Sequence, residues 1–282
     1  MGLFLVAIIP ILFSILIYIF GDRYKLLRNT LVMIPSIFNF ISVVCIANIV
    51  LKGGSYSITL TDTPPFVISF NADPFSVYMG LLITFLWMLT NVYSFGYMEH
   101  EHAQTRYFAV LTLCSSATLG IIFSANLITF FIFFEFLTVA VYPLVIHEES
   151  DEAWDAGVKY GVYLLTGGVS VLLGIIAVYG LTGGHMTFTP GGIPELANQS
   201  SSMLLVLFLL FMFGFGFKAA IIPMHSWLPD AMIAPTPVSA VLHAVAVVNV
   251  GLYGFYRIIY SIFGLSLFNA LNLNTLLAVP AA

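Results

Sequence analysis

Three ionisable residues stand inside long apolar stretches of this sequence, and each is of a type that can hold or release a proton. Glu135 lies in TFFIFFEFLTVAVYP (129–143), Lys218 in FMFGFGFKAAIIPMHSWLPDA (211–231) and His243 in VSAVLHAVAVVNVGLYGFYR (238–257). A charge at the centre of a bilayer costs about 2.5–3.5 kcal/mol on insertion scales, so such residues face a bundle interior or a wet cavity and mark ion pathways by default. A carboxylate, an amine and an imidazole make three proton stations of different basicity. An unperturbed imidazole, with a pKa of about 6.5, exchanges protons at cellular pH.

Each residue also has a plainer reading. Glu135 can be a buried structural acid held neutral; Thr138 and Tyr142, at +3 and +7, share its helical face. Lys218 precedes Pro223 by five residues. Proline removes a helical hydrogen bond and clashes with the carbonyl four residues back, that of Ala219. The helix is therefore expected to break just past the lysine, leaving freed carbonyls in a hydrated pocket, because irregular backbone at membrane depth needs protein or water to cover it. The alternative is that Lys218 snorkels to the surface. His243 alone reads as a hydrogen-bonded core histidine; in the company of Glu135 and Lys218 it reads as a proton relay. Asn249 carries no charge and is assigned to helix–helix hydrogen bonding. His225 lies in the break with Trp227, Pro229 and Asp230, and either links the pocket to the inner water or caps a helix end. Lys159, near the inner end of the sixth span, serves proton uptake or topology, with topology preferred. His100 and His102 in EHEH are too few ligands to predict a metal, and His185 has no distinguishing neighbours. The acidic run HEESDEAWD (147–155) is expected to be a solvated loop, with a partner-docking surface as the alternative.

The elements that position these residues follow from composition. The chain has 282 residues, 60% hydrophobic and 7% charged, with mean hydropathy +1.05. Soluble domains carry about 25% charged residues. Apolar runs of roughly 20 residues recur, each long enough to cross about 30 Å of hydrocarbon as a helix. Their lack of alternation favours helices over barrel strands. The fold class is an all-α polytopic membrane protein of eight to nine transmembrane helices. The expected spans are 2–20, 30–51, 74–95, 107–124, 127–146, 157–180, a Pro-broken seventh at 202–222, and 236–257, with 258–279 as a less certain ninth. The 2–20 run lacks a basic n-region and an A-x-A site and is read as the first span, not a signal peptide. An N-terminus on the outer side puts Arg23, Lys25, Arg28, Arg106 and Lys159 at the inner side against Lys52 and Arg257 at the outer, as the positive-inside rule requires. Segment 55–70, SYSITLTDTPPFVISF, alternates and turns at Asp62-Thr63-Pro64-Pro65, which predicts a surface β-hairpin. Segment 182–201 is a Gly/Pro/Ser loop.

Net charge −5 with eight Lys+Arg argues against a nucleic-acid partner. Cys45 and Cys114 fall inside expected spans, which argues against a disulfide or metal framework. There is no GxGxxG, no P-loop and no cysteine cluster for an iron–sulfur centre. No cofactor is predicted, and the lipid bilayer is the first partner.

With Glu135 in an FFxFFEFLTV-like helix and FKAAIIPMHSWLPDAMIAPTPVSAVLHAVAVVNVGLYGFYR running from 217 to 257, the sequence resembles the antiporter-like subunit family. That family includes the large membrane subunits of respiratory complex I, Mrp sodium/proton antiporter subunits and ion-pumping membrane-bound hydrogenases. The most specific stretch is 218–257, and the resemblance runs the length of the chain. It implies a fourteen-helix fold with helices four to eight and nine to thirteen as two inverted repeats. On that pattern 1–106 holds the peripheral helices one to three, 107–257 the first five-helix repeat, and 258–282 an incomplete ninth helix. The resemblance also matches Glu135, Lys218 and His243 to the family's helix-five glutamate, helix-seven lysine and helix-eight histidine. Some members carry a helix-eight lysine where this chain has Asn249, which leaves the relay role on that helix to His243. The family's broken helix twelve is not in this sequence: a partner subunit supplies the second repeat, the member is short, or the chain is partial. The implied function is proton or sodium/proton translocation within a multi-subunit oxidoreductase of the NADH, ferredoxin or hydrogenase type, or an Mrp-type complex. This subunit would hold no redox centre, and its partners would be other membrane subunits. The implied location is the cell membrane or an energy-coupling inner membrane. A passive scaffold and a stand-alone cation/proton exchanger are the alternatives.

Overall fold

A computed structural model describes residues 2–275 and 278. Among these, eight helices are long and apolar enough to cross a membrane. They are α1 (Gly2–Phe20), α2 (Lys25–Leu51), α3 (Pro74–Tyr97), α4 (Gln104–Ile122), α5 (Leu127–Val145), α6 (Asp151–Thr182), α7 (Ser201–Lys218) and α8 (Thr236–Phe263). Side-chain caps start four of them. Asp73 forms a reciprocal capping box with Ser76 ahead of Pro74 in α3, and Asn126, Ser150 and Ser200 accept from the backbone N–H three residues on in α5, α6 and α7. Each cap satisfies an N–H that lipid cannot. Gly183, at φ 65°, ends α6 in the left-handed conformation that glycine adopts without strain.

Helix α4 is the centre of the bundle. Its apolar window is 83% buried, against 33% for α1 and α2, so the first two helices lie on the periphery and α4 is wrapped by protein. It packs between α1 and α5; α6 packs on α7, and α2 on α3. Hydroxyls on both helices tie α1 to α4: Ser14 of α1 donates to the Ala109 carbonyl at 2.7 Å, and Ser116 of α4 donates to that of Ala7.

The hairpin expected at 55–70 is present as antiparallel strands β1 (Tyr56–Thr63) and β2 (Phe66–Ala72), paired from Tyr56↔Ala72 to Thr63↔Phe66 around Pro64-Pro65. It is fastened to the α4–α5 connection by Asn71 N–H to Phe123 O at 2.8 Å and Ala125 N–H to Ser69 O at 3.0 Å. Loop 183–200 is irregular apart from a 3-10 turn at Pro194–Asn198.

Three expectations are corrected. Helix α6 begins at Asp151, not 157, so only 147–150 of the acidic run is loop. Asp151 and Glu152 fill its first turn, where the helix dipole favours anions. Within that loop His147 is fully buried, not solvated. Ile258–Phe263 does not belong to a ninth span: it continues α8 as a π-helical turn, Gly264 at φ 74° ends it, and a short helix Leu265–Ala270 follows. The 183–200 loop covers this end, with Thr189 and Ile193 N–H groups donating to the carbonyls of Ser261 and Ile262. Positions 276, 277 and 279 of that expected span lie outside the described residues.

Arg257, counted above as an outer-side charge, is 6% exposed. Its Nη1 donates to Asp73 Oδ2 at 2.5 Å, its Nε donates to the Tyr253 hydroxyl at 2.8 Å, and that hydroxyl donates to the Ile122 carbonyl at 2.6 Å. This cluster joins the start of α3, the end of α4 and α8. Burial opposes ionisation of Asp73, but Arg257 and the Ser76 N–H outweigh it and hold the carboxyl below its usual range. A depressed folded-state pKa contributes stability above the ordinary aspartate value of about 3.9, and that stability is lost as pH falls through the folded value. Asp73→Asn is expected to strand a buried guanidinium and cost about 3 kcal/mol, the low end for breaking a buried pair. Thermal melting in detergent should show the deficit at pH 7 and a narrowing gap to wild type below pH 4.

Candidate functional site

Helix α5 is pegged at one end. The Asn126 side chain accepts from Thr129 N–H at 2.8 Å, and its amide donates to Val67 O at 3.0 Å and Ser69 Oγ at 2.8 Å on β2. The Ser69 N–H in turn donates to Thr129 Oγ1 at 3.0 Å. From this peg, Glu135 is the ninth of nineteen helical residues, midway along α5.

Glu135 is half-buried, and its Oε1 is fully buried without a hydrogen-bond partner. The carboxylate lies against Gly168 of α6, where a Cβ would collide with both of its oxygens. The absence of a side chain at 168 is what makes room for the acid. One residue earlier, Gly167 faces Gly214 of α7, and a Cβ on Gly214 would come within 2.9 Å of the Gly167 carbonyl oxygen. Ser170 adds a 2.7 Å hydrogen bond to the Leu210 carbonyl. Small residues let the α6 and α7 backbones touch, as membrane helices without a hydrophobic driving force require.

Lys218 is the last residue of α7 and is 1% exposed, so it does not snorkel. Its Nζ donates to the Phe134 carbonyl at 2.6 Å and sits 3.5 Å from the centre of the Phe134 ring. A neutral oxygen and an aromatic face thus cradle the ammonium, one residue from Glu135. Among the described residues the two charges make no direct ion pair within 4.0 Å. The Phe134 carbonyl also accepts from the Thr138 hydroxyl at 3.2 Å, and Tyr160 donates to the Thr138 carbonyl at 3.2 Å. On the hairpin side, Phe130, Phe134, Phe211, Phe215 and Tyr253 stack and interlock edge to face with ring centres 5.6–6.4 Å apart, an aromatic roof over the lysine.

The break after Lys218 is present, and helicity stops five residues before Pro223. Residues 219–226 are turns, followed by a four-residue helix, Trp227–Asp230. The carbonyl of Phe217 accepts from the Trp227 indole N–H at 2.7 Å. A tryptophan, not the lysine, therefore covers the broken end. Helix α8 packs directly on this end, with Gly251 against the Ala219 backbone and Gly254 against the Phe215 ring.

His243 lies in a π-helical turn of α8, Val241–Val245. It is partly buried, and its Nε2 is fully buried with no partner. It makes no hydrogen bond to Lys218 or Glu135. Asn249 does not bond across helices as expected; its amide donates to the Ala244 carbonyl within α8, where the π turn and Ala246 (φ −110°, ψ −83°) interrupt the regular ladder. His225 is exposed on the turn, and its carbonyl accepts from Leu228 N–H. Lys159 pairs with Asp230 at 2.7 Å, both partly exposed. Glu135 and Lys218 are thus neighbours, His243 lies on the helix that closes the same break, and His225 and Lys159 stand apart at the surface.

Outside the spans, the α3–α4 and α5–α6 connections meet. Arg106 pairs with Glu149 and donates to the His147 carbonyl. Burial, reinforced by His102 and Arg106, pushes the His147 imidazole down to about 4, so it is neutral at cellular pH.

Sequence reasoning missed Phe134, Gly168, Trp227 and the Asp73–Arg257 pair. Paired glycines in LLTGGVS and the glycines of FGFGFK signal close helix approach. Nothing in the sequence marks one phenylalanine among so many as the lysine's acceptor.

Fold and site together define a polytopic helical membrane protein with ionisable groups gathered at a broken helix. A family profile described as "NADH:quinone oxidoreductase/Mrp antiporter, TM" matches residues 124–281, and one described as "NADH-Ubiquinone oxidoreductase (complex I), chain 5 N-terminus" matches 60–108. The chain belongs to the NADH:quinone oxidoreductase/Mrp antiporter transmembrane family. It is 34% identical over 191 residues to "NAD(P)H-quinone oxidoreductase chain 5" of Picosynechococcus sp., covering 66% of this chain and 29% of that protein. It is 35% identical over 192 residues to the chloroplastic subunit 5 of Zygnema circumcarinatum, covering 66% and 27%. The match thus spans less than a third of the length of these relatives. In fold it is similar to a chain of an archaeal membrane-bound sulfane sulfur reductase complex (TM-score 0.79, 22% identity, 91% of this chain and 52% of that one). It is also similar to a chain of the Mrp complex from a Dietzia species (TM-score 0.80, 21% identity, 93% and 49%).

Gly168→Val is expected to drive the Glu135 carboxylate off α6 and cost about 1–3 kcal/mol by overpacking. Gly180→Ala, in open space on the same helix, should leave thermal melting unchanged or slightly raised.

Proposed function

We propose that this chain is an ion-translocating, antiporter-like subunit of a multi-subunit membrane complex of the NADH:quinone oxidoreductase or Mrp kind. In this reading Glu135, Lys218 and His243 pass protons near the bilayer midplane. The observation that carries it is Lys218, 1% exposed at a broken helix end, with its ammonium on the carbonyl of the residue next to Glu135. Burying a charge at membrane depth is costly, and a merely structural contact is served by an uncharged residue at lower cost.

The Phe134 carbonyl and ring hold the protonated lysine, and the ionised Glu135 carboxylate stabilises it through a low-dielectric gap. Rotation of the carboxylate away from Gly168 weakens that hold, and Lys218 releases its proton towards His243. No direct hydrogen bond joins the three groups, so each transfer runs through a bridging water or a side-chain swing. The unpartnered Nε2 of His243 suits it as acceptor. His225 stands exposed on the turn of the break, and Lys159 with Asp230 orients that surface. Moving a charge against 100 mV requires about 2.3 kcal/mol, which a coupled exergonic reaction elsewhere in the complex must supply. Residues 107–257 would form the first five-helix repeat, with the N-terminus on the outer side and a partner subunit or further chain supplying the second. Protons are the cargo, with sodium as the alternative ion.

Lys218→Ala is expected to reduce ion pumping by the assembled complex to background while assembly survives; wild-type pumping in that variant overturns the reading. Glu135→Gln should impair pumping strongly and Glu135→Asp less so. The missing hydrogen bond between Lys218 and His243 favours a second reading, a passive scaffold that only transmits conformation. Unaltered transport in a Lys218→Ala/His243→Ala double variant of a fully assembled complex would establish it over the first.

A further inference from the structure

We propose that the α3–α4 and α5–α6 connections together form a binding site for a divalent transition-metal cation of the Zn2+ type, with Glu101, His102 and Glu148 as ligands. The ligating atoms of these three residues lie within 4.8 Å of one another. Small movements of exposed side chains bring such a set to the roughly 2.0–2.2 Å ligand distances that zinc takes from imidazole and carboxylate.

The state of His102 is fixed by its neighbour. Its Nε2 lies 2.8 Å from the His147 carbonyl oxygen, which can only accept, so Nε2 carries the proton and Nδ1 keeps its lone pair. A ligating histidine whose other nitrogen donates to a backbone carbonyl is the usual outer-shell arrangement of zinc sites. The nearby cations are already engaged, Arg106 by Glu149 and Lys25 by Glu99. Among the described residues neither Glu101 nor Glu148 has a cationic partner within ion-pair distance, so two carboxylates face a dication uncompensated.

A second imidazole lies against the first. His147 is fully buried, both of its ring nitrogens lack hydrogen-bond partners, and its ring stacks on that of His102 with centres 4.8 Å apart. A polar group in that condition is unstable unless something nearby can bond to it. Water on a bound dication is a strong donor, and an imidazole nitrogen without a partner can accept from it. One imidazole with two carboxylates selects Zn2+ or Co2+ over Mg2+ and Ca2+, which take more oxygen ligands and no imidazole by preference. Ligation would clamp two loops that are far apart in sequence and contiguous in space.

The test uses the full chain in detergent after chelator treatment, titrated with ZnCl2 by calorimetry. One equivalent is expected to bind, and a hundredfold excess of Mg2+ should not displace it. His102→Ala and Glu148→Gln should each weaken binding by about tenfold or more, the loss expected at or beyond outer-shell positions. Glu152→Gln, an exposed acid on the first turn of α6, should bind as wild type. Absence of a saturable equivalent, displacement by Mg2+, or equal weakening in all three variants overturns the proposal. If the variants fail to fold, Co2+ substitution of the wild-type chain decides: a visible spectrum without nitrogen ligation overturns it equally.

Discussion

A lysine ammonium removed from water has to find an oxygen, and in this bundle the one within reach of Lys218 is a backbone carbonyl of the neighbouring helix. That contact fixes how the rest is assembled. α7 must end where the lysine stands, the α6 and α7 backbones must touch through Gly167 and Gly214 for α5 to lie beside them, and α8 must close over the break through Gly251 and Gly254. The last two conditions are met by missing side chains. The bundle places its charge by leaving space, because apolar contacts between helices give little preference over contacts with lipid tails.

Polar groups elsewhere follow the same accounting of donors and acceptors. Trp227 takes the carbonyl that the break frees, Asn249 spans the interruption in α8, and the loop ahead of α7 takes the last carbonyls of α8. Non-helical backbone within a membrane protein persists where protein supplies such partners. The ring nitrogens of His147 and the Oε1 of Glu135, like the Nε2 of His243, are among the exceptions, buried and without a bond. The first stands at a loop junction and the second halfway along α5.

Much of this was legible in the sequence because membrane spans are written in composition and length. The hairpin was legible because alternation and a Pro-Pro turn are local signals. Position along a helix was legible too, so Glu135 was found at depth and the helix was expected to break past Lys218. What sequence did not disclose were partners across helices. Phe134 is one of 26 phenylalanines, and only the crossing of α5 and α7 distinguishes it. The extension of α8 to Phe263 was hidden because π turns leave no periodic mark. The burial of His147 was hidden because an acidic run reads as solvated, while packing of two distant loops decides otherwise. Arg257 read as a topology signal, although its partner lies 184 residues away.

The peg of Asn126 on the hairpin has a consequence for how this protein sits in membranes of different thickness. Nine residue steps separate Asn126 from Glu135, which at 1.5 Å per residue is roughly 13.5 Å. That length is set by covalent geometry and by the strand the peg grips, not by lipid. Stretching or thinning the bilayer therefore changes only the stretch of hydrocarbon on the far side of the acid. Hydrophobic mismatch would fall asymmetrically on this chain, on the side of Glu135 away from the hairpin.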